Sequence, residues 1–148
     1  MAGALKLRAV DAVDVSVLST VLQDALVPVA EMVWLPDERR FALVANRFRW
    51  EPEAGAGRGT FERTLTGLCI DHVASVRRRG FSPAETDRIL ELLALRAEGS
   101  SIYLEFAGGG SIRLEVERIE CRLDDLGEPW PTRWRPRHPI DDTGPGAR

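Results

Sequence analysis

Two arginine clusters carry the strongest chemical signal in this chain. Arg77, Arg78 and Arg79 form an uninterrupted run, and Arg133, Arg135 and Arg137 alternate through Trp130-Pro131-Thr132-Arg133-Trp134-Arg135-Pro136-Arg137-His138. A guanidinium is a planar fork of donors that grips phosphate or carboxylate through two parallel hydrogen bonds, and Trp can stack on a base or on Arg. An extended backbone sends alternate residues to one side, so Arg133, Arg135 and Arg137 would aim three cations the same way. Arg39, Arg40, Arg47 and Arg49 could extend such a patch. The competing reading is internal neutralisation, because 23 acidic residues stand against 20 basic ones.

Other groups that could do chemistry lack the spacing for it. Cys69-Ile70-Asp71-His72 is a Cys-x-x-His pair, which Cys121 and His138 could complete to a zinc tetrad. Residues three apart on a strand face opposite ways, so no metal site is expected. The same cysteines and histidines supply the inventory for nucleophilic catalysis, but no Gly-x-Ser-x-Gly elbow or other positioned set accompanies them. No catalytic residue and no cofactor is therefore assigned. Ala107-Gly108-Gly109-Gly110-Ser111 and the glycines at 55, 57 and 59 are glycine-rich, yet neither opens a helix as a phosphate loop must. Glu115 and Glu117 sit near Arg113 in a pattern typical of ion pairs on a solvated strand face.

The chain of 148 residues is expected to form one domain at 1–140 with a flexible tail at 141–148. A domain of this size buries roughly 70% of its unfolded surface and needs no staple. Apolar residues make up 44% and charged residues 29%, which excludes global disorder, collagen and coiled coil. The longest apolar stretch, 26–35, falls short of the about 20 residues of a membrane span. Net charge is −3, which argues against general nucleic-acid binding. All basic residues but Lys6 are arginine, a bias that a G+C-rich genome also produces. Two cysteines make no disulfide scaffold, and residues 1–6 lack a secretory pattern, so a bacterial cytoplasmic location with reduced thiols is expected.

Hydrophobic periodicity supplies the elements that must position these groups. Leu5, Leu7 and Ala9 alternate with Lys6 and Arg8 as a strand. Residues 14–25 place Val17, Leu18, Val21, Leu22 and Ala25 on one helical stripe, with Asp11 or Asp14 as N-cap. Residues 26–35 and 40–50 read as a strand pair around a turn at 36–39, with Phe41, Leu43 and Ala45 on one face and Arg47 and Arg49 sharing a face near the end. Residues 51–59 read as a flexible loop. Residues 60–76 read as one long strand with a phase slip, hence a bulge, at Gly67. Any helix at 82–85 must be short, and 89–97 fits helix or strand. Residues 101–106 and 111–116 form the clearest hairpin, joined by glycines. Residues 117–126 lean towards strand, and prolines exclude regular structure from 127 on.

The Glu38-Arg39-Arg40-Phe41 to Asn46-Arg47-Phe48-Arg49-Trp50-Glu51 string, with Leu22-Gln23-Asp24-Ala25, Trp34-Leu35-Pro36, Phe106-Ala107-Gly108-Gly109-Gly110, Asp125-Leu126-Gly127, Pro129-Trp130 and Arg135-Pro136-Arg137-His138, resembles the alphaproteobacterial domain of unknown function 2948 family. The resemblance spans about residues 5–138 and implies a bacterial, cytoplasmic protein with no activity to carry over. The expected fold is α+β: a strongly bent, mostly antiparallel sheet with an N-terminal amphipathic helix. A partly open, pleckstrin-homology-like barrel is its fold-level analogue. The expected function is a non-enzymatic binding or protein-interaction module with an anion-binding face at Arg77, Arg78, Arg79, Arg133, Arg135 and Arg137. Partners would be a protein or an anionic ligand, and neither nucleic acid in general nor a membrane. The alternatives are a homodimeric adaptor using Trp34, Phe48 and Trp130, since aromatics dominate interface hot spots, and an enzyme of unknown class.

Overall fold

The computed structural model describes residues 4–48, 62–127 and 130–131, the last two and Glu62 as backbone only. Among these, every strand pairing is antiparallel and one helix is present. Strand β1 (Lys6–Ala9) leads into α1 (Ala12–Leu22), followed by β2 (Leu26–Pro28), β3 (Met32–Leu35) and β4 (Arg40–Phe48). Then come β5 (Glu62–Ile70), β6 (Val73–Arg79), β7 (Ile89–Glu98), β8 (Ser101–Phe106), β9 (Ser111–Val116), β10 (Cys121–Asp125) and the two-residue β11 (Trp130–Pro131). The sheet runs β1-β10-β5-β4-β2-β7-β8-β9-β6, with β3 beside β4 and β11 beside β5. It does not close, so β1 and β6 are its end strands.

Alternation fixes the core. In one half, Ala9, Cys121, Ile70 and Phe41 form a cross-strand row, and Leu7, Leu123, Leu68 and Leu43 form the next. In the other half Leu95, Leu104 and Ile112 align, as do Ala97, Ile102 and Leu114. Both sets join one hydrophobic cluster. Each fully buried large side chain is worth about 1.5–3 kcal/mol, so this face dictates register throughout. The halves are linked through β2, where Leu26 pairs with both Asn46 and Glu91.

The helix begins at Asp11, whose carboxylate accepts from the Asp14 N–H at 2.8 Å. It buries Val15, Leu18 and Leu22 and leaves Val17 half exposed, a stripe rotated from the one expected. Contact with β7 sets that rotation: the Leu95 N–H donates to Ser19 Oγ at 3.0 Å, and Asp24 and Ala25 exchange backbone hydrogen bonds with Leu92.

Several expectations are corrected. Residues 26–35 divide into β2 and β3 around a 3₁₀ turn at Val29–Glu31. The stretch 60–76 is not one strand bulged at Gly67: β5 keeps its register through Gly67, and the chain turns at His72, whose φ is +60°. The apparent slip came from Thr64 and Thr66, which occupy the inner face as polar residues. Their hydroxyls donate to Gly127 O and Asp124 O at 3.2 and 3.1 Å, which makes burial affordable. Residues 82–85 make turns, not a helix, while 89–98 and 121–125 are strands. Prolines do not bar Trp130–Pro131 from a two-residue pairing with β5. The expected loop at 51–59 and the expected tail lie outside the described residues.

One inner-face position is ionic. The Arg47 side chain is fully buried, and its Nε and Nη2 donate to Asp125 Oδ1 and Oδ2 at 3.0 and 2.7 Å. Asp125 Oδ2 also accepts from the Leu5 N–H at 2.9 Å, tying β1, β4 and β10 together. Burial pushes the Asp125 carboxyl pKa up, but the hydrogen bonds from Arg47 and Leu5 outweigh it and hold the pKa below its ordinary value. A depressed folded pKa stabilises the protein above the unfolded value of about 4, and that contribution fades as pH falls through the folded value. Asp125→Ala, which takes the paired carboxylate away from the buried Arg47 side chain, should cost about 3–5 kcal/mol at neutral pH. Urea unfolding at descending pH should show the gap to wild type closing in the acid range. A constant gap would show that the carboxylate charge is not what stabilises.

Gly80, with φ +85°, follows β6 at a point where an added Cβ would lie 2.9 Å from Gly110 Cα. Gly99, with φ +63°, faces open space. Gly80→Ala should therefore cost about 2–3 kcal/mol and Gly99→Ala about 1 kcal/mol, measured by chemical denaturation. Equal losses would rule out the close approach as the cause.

Candidate anion-binding face

The run Arg77-Arg78-Arg79 lies on β6, so consecutive guanidiniums cannot share a face. Val76 and Arg78 stand opposite Leu114 and Ile112, on the core side. Arg77 and Arg79 stand opposite Arg113 and Ser111, on the outer side. Arg113 is in turn opposite Tyr103 of β8, and Tyr103 is opposite Arg96 of β7. The result is an outer row Arg77–Arg113–Tyr103–Arg96 across four strands, with Arg79–Ser111–Glu105 beside it. The Arg96 guanidinium lies 4.1 Å from the Tyr103 ring centre and that of Arg113 lies 5.7 Å away. Together these residues line a depression of about 460 Å³.

Charge on this face is unevenly balanced. Arg96 pairs with Glu98 and Glu105 at 2.7 and 3.1 Å, and Arg113 with Glu115 at 2.6 Å. The hydrogen bond from Ser101 holds the Glu115 carboxyl below its usual pKa against the opposing effect of burial, and Arg113 adds to the lowering. Among the described residues, Arg77 and Arg79 are exposed and have no ion-pair partner. The excess positive charge therefore sits at the β6 end, where Arg77 faces a like charge across the strand pair. Arg78 is different again: its Nε is buried with no hydrogen-bond partner, and burial lowers its pKa.

The other sequence candidates are placed differently. Arg133, Arg135, Arg137, Arg49, Trp50 and His138 lie outside the described residues. Arg39 pairs with Glu117, and Arg40 with Asp71 at 2.7 Å, so they do not extend a free patch. Arg47, expected near the surface, is buried in the ion pair described above. Trp34 is half-buried against the core, Phe48 lies 3.6 Å beneath the Arg63 guanidinium, and Trp130 is described only by its backbone. Arg63 also donates to Asn46 O and Oδ1 at 2.9 and 2.7 Å.

The thiols face opposite ways. Cys121 is in the core, where burial raises its pKa to about 12. Cys69 pairs across from Arg122 on the outer face; burial and Asp71 push its thiol up, against the pull of Arg122 and Arg40. His72 Nε2 sits 3.7 Å from Glu120 Oε1. Among the described residues, no three His, Cys, Asp or Glu side chains gather as a metal site. No described helix is long and apolar enough to cross a membrane.

Arg96, Tyr103, Arg113 and Ser111 were missed in the sequence. Each occupies a polar phase of an alternating strand, which marks it as outward-facing. Only the register of β6 on β9 reveals that these positions meet Arg77 and Arg79.

A family model described as "Protein of unknown function (DUF2948)" matches residues 5–138. No curated protein and no solved structure matches the chain.

Like charges directly opposite each other weaken a strand pair. Arg77→Thr should therefore raise stability by about 0.2–1 kcal/mol, read from the urea midpoint, with the gain shrinking in high salt. A loss of stability would mean that Arg77 serves the fold.

Proposed function

Because the chain belongs to the DUF2948 family, whose description assigns no activity, we propose a function from its own geometry: a non-enzymatic binding module that holds an anionic partner on the outer face of β6, β9 and β8. The observation that carries this reading is that Arg77 and Arg79 are exposed and, among the described residues, without an ion-pair partner, set beside Arg113 and the Ser111 hydroxyl around one depression. Two guanidiniums at alternate positions of a strand lie within reach of one phosphate or of neighbouring carboxylates. The face retains repulsive charge that the fold does not use, a pattern common where function sets the residue choice. Arg78 also lines the depression, although its strand position turns it towards the core side. The reading includes the barrel-like curl of the sheet and its pleckstrin-homology-like analogue. It also includes a bacterial cytoplasmic location with reduced Cys69 and Cys121. Arg133, Arg135 and Arg137 would add to the face if their segment reaches it.

A homodimeric adaptor is the second reading. Its support is not the aromatic set but α1, where Val13 and Val17 are 72% and 50% exposed and, with Val10, follow helical spacing.

The test is titration calorimetry with pyrophosphate, citrate and a glutamate-rich peptide. At least one should bind, with affinity falling as salt rises. Charge reversal by Arg77→Glu with Arg79→Glu should weaken it by about tenfold or more without lowering Tm. Lys6→Glu, on the opposite end strand, should leave it unchanged. Equal binding by wild type and the double variant would sink the proposal.

A further inference from the structure

The strand that carries the unpaired arginines is also an end of the sheet. β6 is hydrogen-bonded to β9 on one side. On its other side, Val73 N–H donates to Arg39 O at 2.9 Å at the strand start. From Ala74 to Arg79, no described backbone group pairs along that edge. The irregularity in its pairing lies between Val73 and Ser75, so residues 75–79 are regular. Arg88 Nη1 donates to Gly80 O at 3.2 Å and closes the stretch. An unpaired edge is a template for another strand, and folds usually blunt it by shortness, proline, a bulge or charge. The other end strand, β1, is short at four residues. β6 has seven residues, no proline and, beyond the irregularity at its start, an open regular stretch among the described residues, so along residues 75–79 charge is the device left to it.

That charge selects the occupant. A second copy of β6 would set arginines against arginines, and like charges opposite each other destabilise a pair. An acidic strand meets the opposite condition. We propose that β6 is a docking edge for an extended acidic segment of a partner protein, which adds as the next strand of the sheet. This rests on the anion-binding reading and gives it a partner class. Strand addition supplies main-chain hydrogen bonds for affinity and alternate side chains for specificity. Carboxylates two residues apart on the incoming strand face Arg77 and Arg79 on the outer side. The residue between them falls beside Arg78, whose buried Nε has no partner, so a hydrogen-bond acceptor there suits the site. The recognised pattern is thus acid, acceptor, acid.

The experiment uses the full chain and a labelled, end-blocked peptide alternating Glu with Thr, followed by fluorescence anisotropy. Two further peptides carry N-methyl groups on alternate backbone nitrogens, one in each register, and a fourth has the same composition with all Glu at one end. The parent peptide should bind. One N-methyl register should weaken binding by about tenfold or more and the other should barely change it, because only alternate N–H groups point at β6. The blocked-charge peptide should bind more weakly than the parent, and Arg77→Glu with Arg79→Glu should abolish binding. If all four peptides bind alike and charge reversal still abolishes binding, strand addition is wrong and the anionic face stands. If pyrophosphate or citrate binds but the parent peptide does not, strand addition is likewise overturned while the face survives. If neither the peptide nor the small anions bind, both readings fall.

Discussion

The long strands of the described sheet must send one side chain in two towards a single core, and most of the structure depends on that constraint. Phe41, Leu43, Leu68, Ile70 and Leu123 fill it from one half, and Leu95, Ile102, Leu104, Ile112 and Leu114 from the other. A one-residue slip in β9 or β10 would exchange a buried leucine for a charged residue such as Arg113, Glu115 or Arg122. The cost of such a slip, several kcal/mol, is what makes the register unambiguous. The outer face is then fixed as a consequence. Once Val76 and Ile112 are committed inward, Arg77 and Arg113 have nowhere to go but outward and side by side.

The centre of the inner face also holds a charged pair. Arg47 and Asp125 are 0% and 3% exposed at the side chain, and they form a two-pronged pair flanked by Thr64 and Thr66. A buried ion pair gains little over apolar packing, but removing one member is costly because the other stays buried without its counter-charge. The Leu5 N–H completes the carboxylate, so the pair also anchors the first strand of the chain. This part of the interior is held by directional bonds where the rest is held by apolar burial. It also explains why an arginine that might join a surface patch is unavailable to one.

On the outer face most ionic contacts are ordinary exposed pairs, each worth about 0–1 kcal/mol. Arg39, Arg40, Arg96 and Arg113 are all neutralised by nearby carboxylates, as the abundance of acids implies. Arg77 and Arg79 escape that neutralisation. They occupy the end strand, where neighbours exist on one side only, so both charge and backbone hydrogen-bonding capacity are left over at the same place. The functional reading draws on this coincidence and not on the number of arginines.

Local side-chain pattern alone determined the hairpin of β8 and β9, the strand β4 with Phe41, Leu43 and Ala45 inward, and the mostly antiparallel architecture with one helix, since these follow from period-two alternation, one helical stripe and glycine turns. It also identified Arg77 and Arg79 as chemically notable. Tertiary structure decided the rest. The strand-helix ambiguity at 89–97 was resolved by pairing with both β2 and β8, which no local pattern encodes. The break at His72 and the inward threonines depend on hydrogen-bond partners tens of residues away. Arg47 became interior because Asp125 arrives from the other end of the chain, and Arg78 parted from its neighbours because β9 fixes the phase of β6. The row Arg77–Arg113–Tyr103–Arg96 exists only across strands, where register, a long-range property set by shared burial, brings distant residues into line.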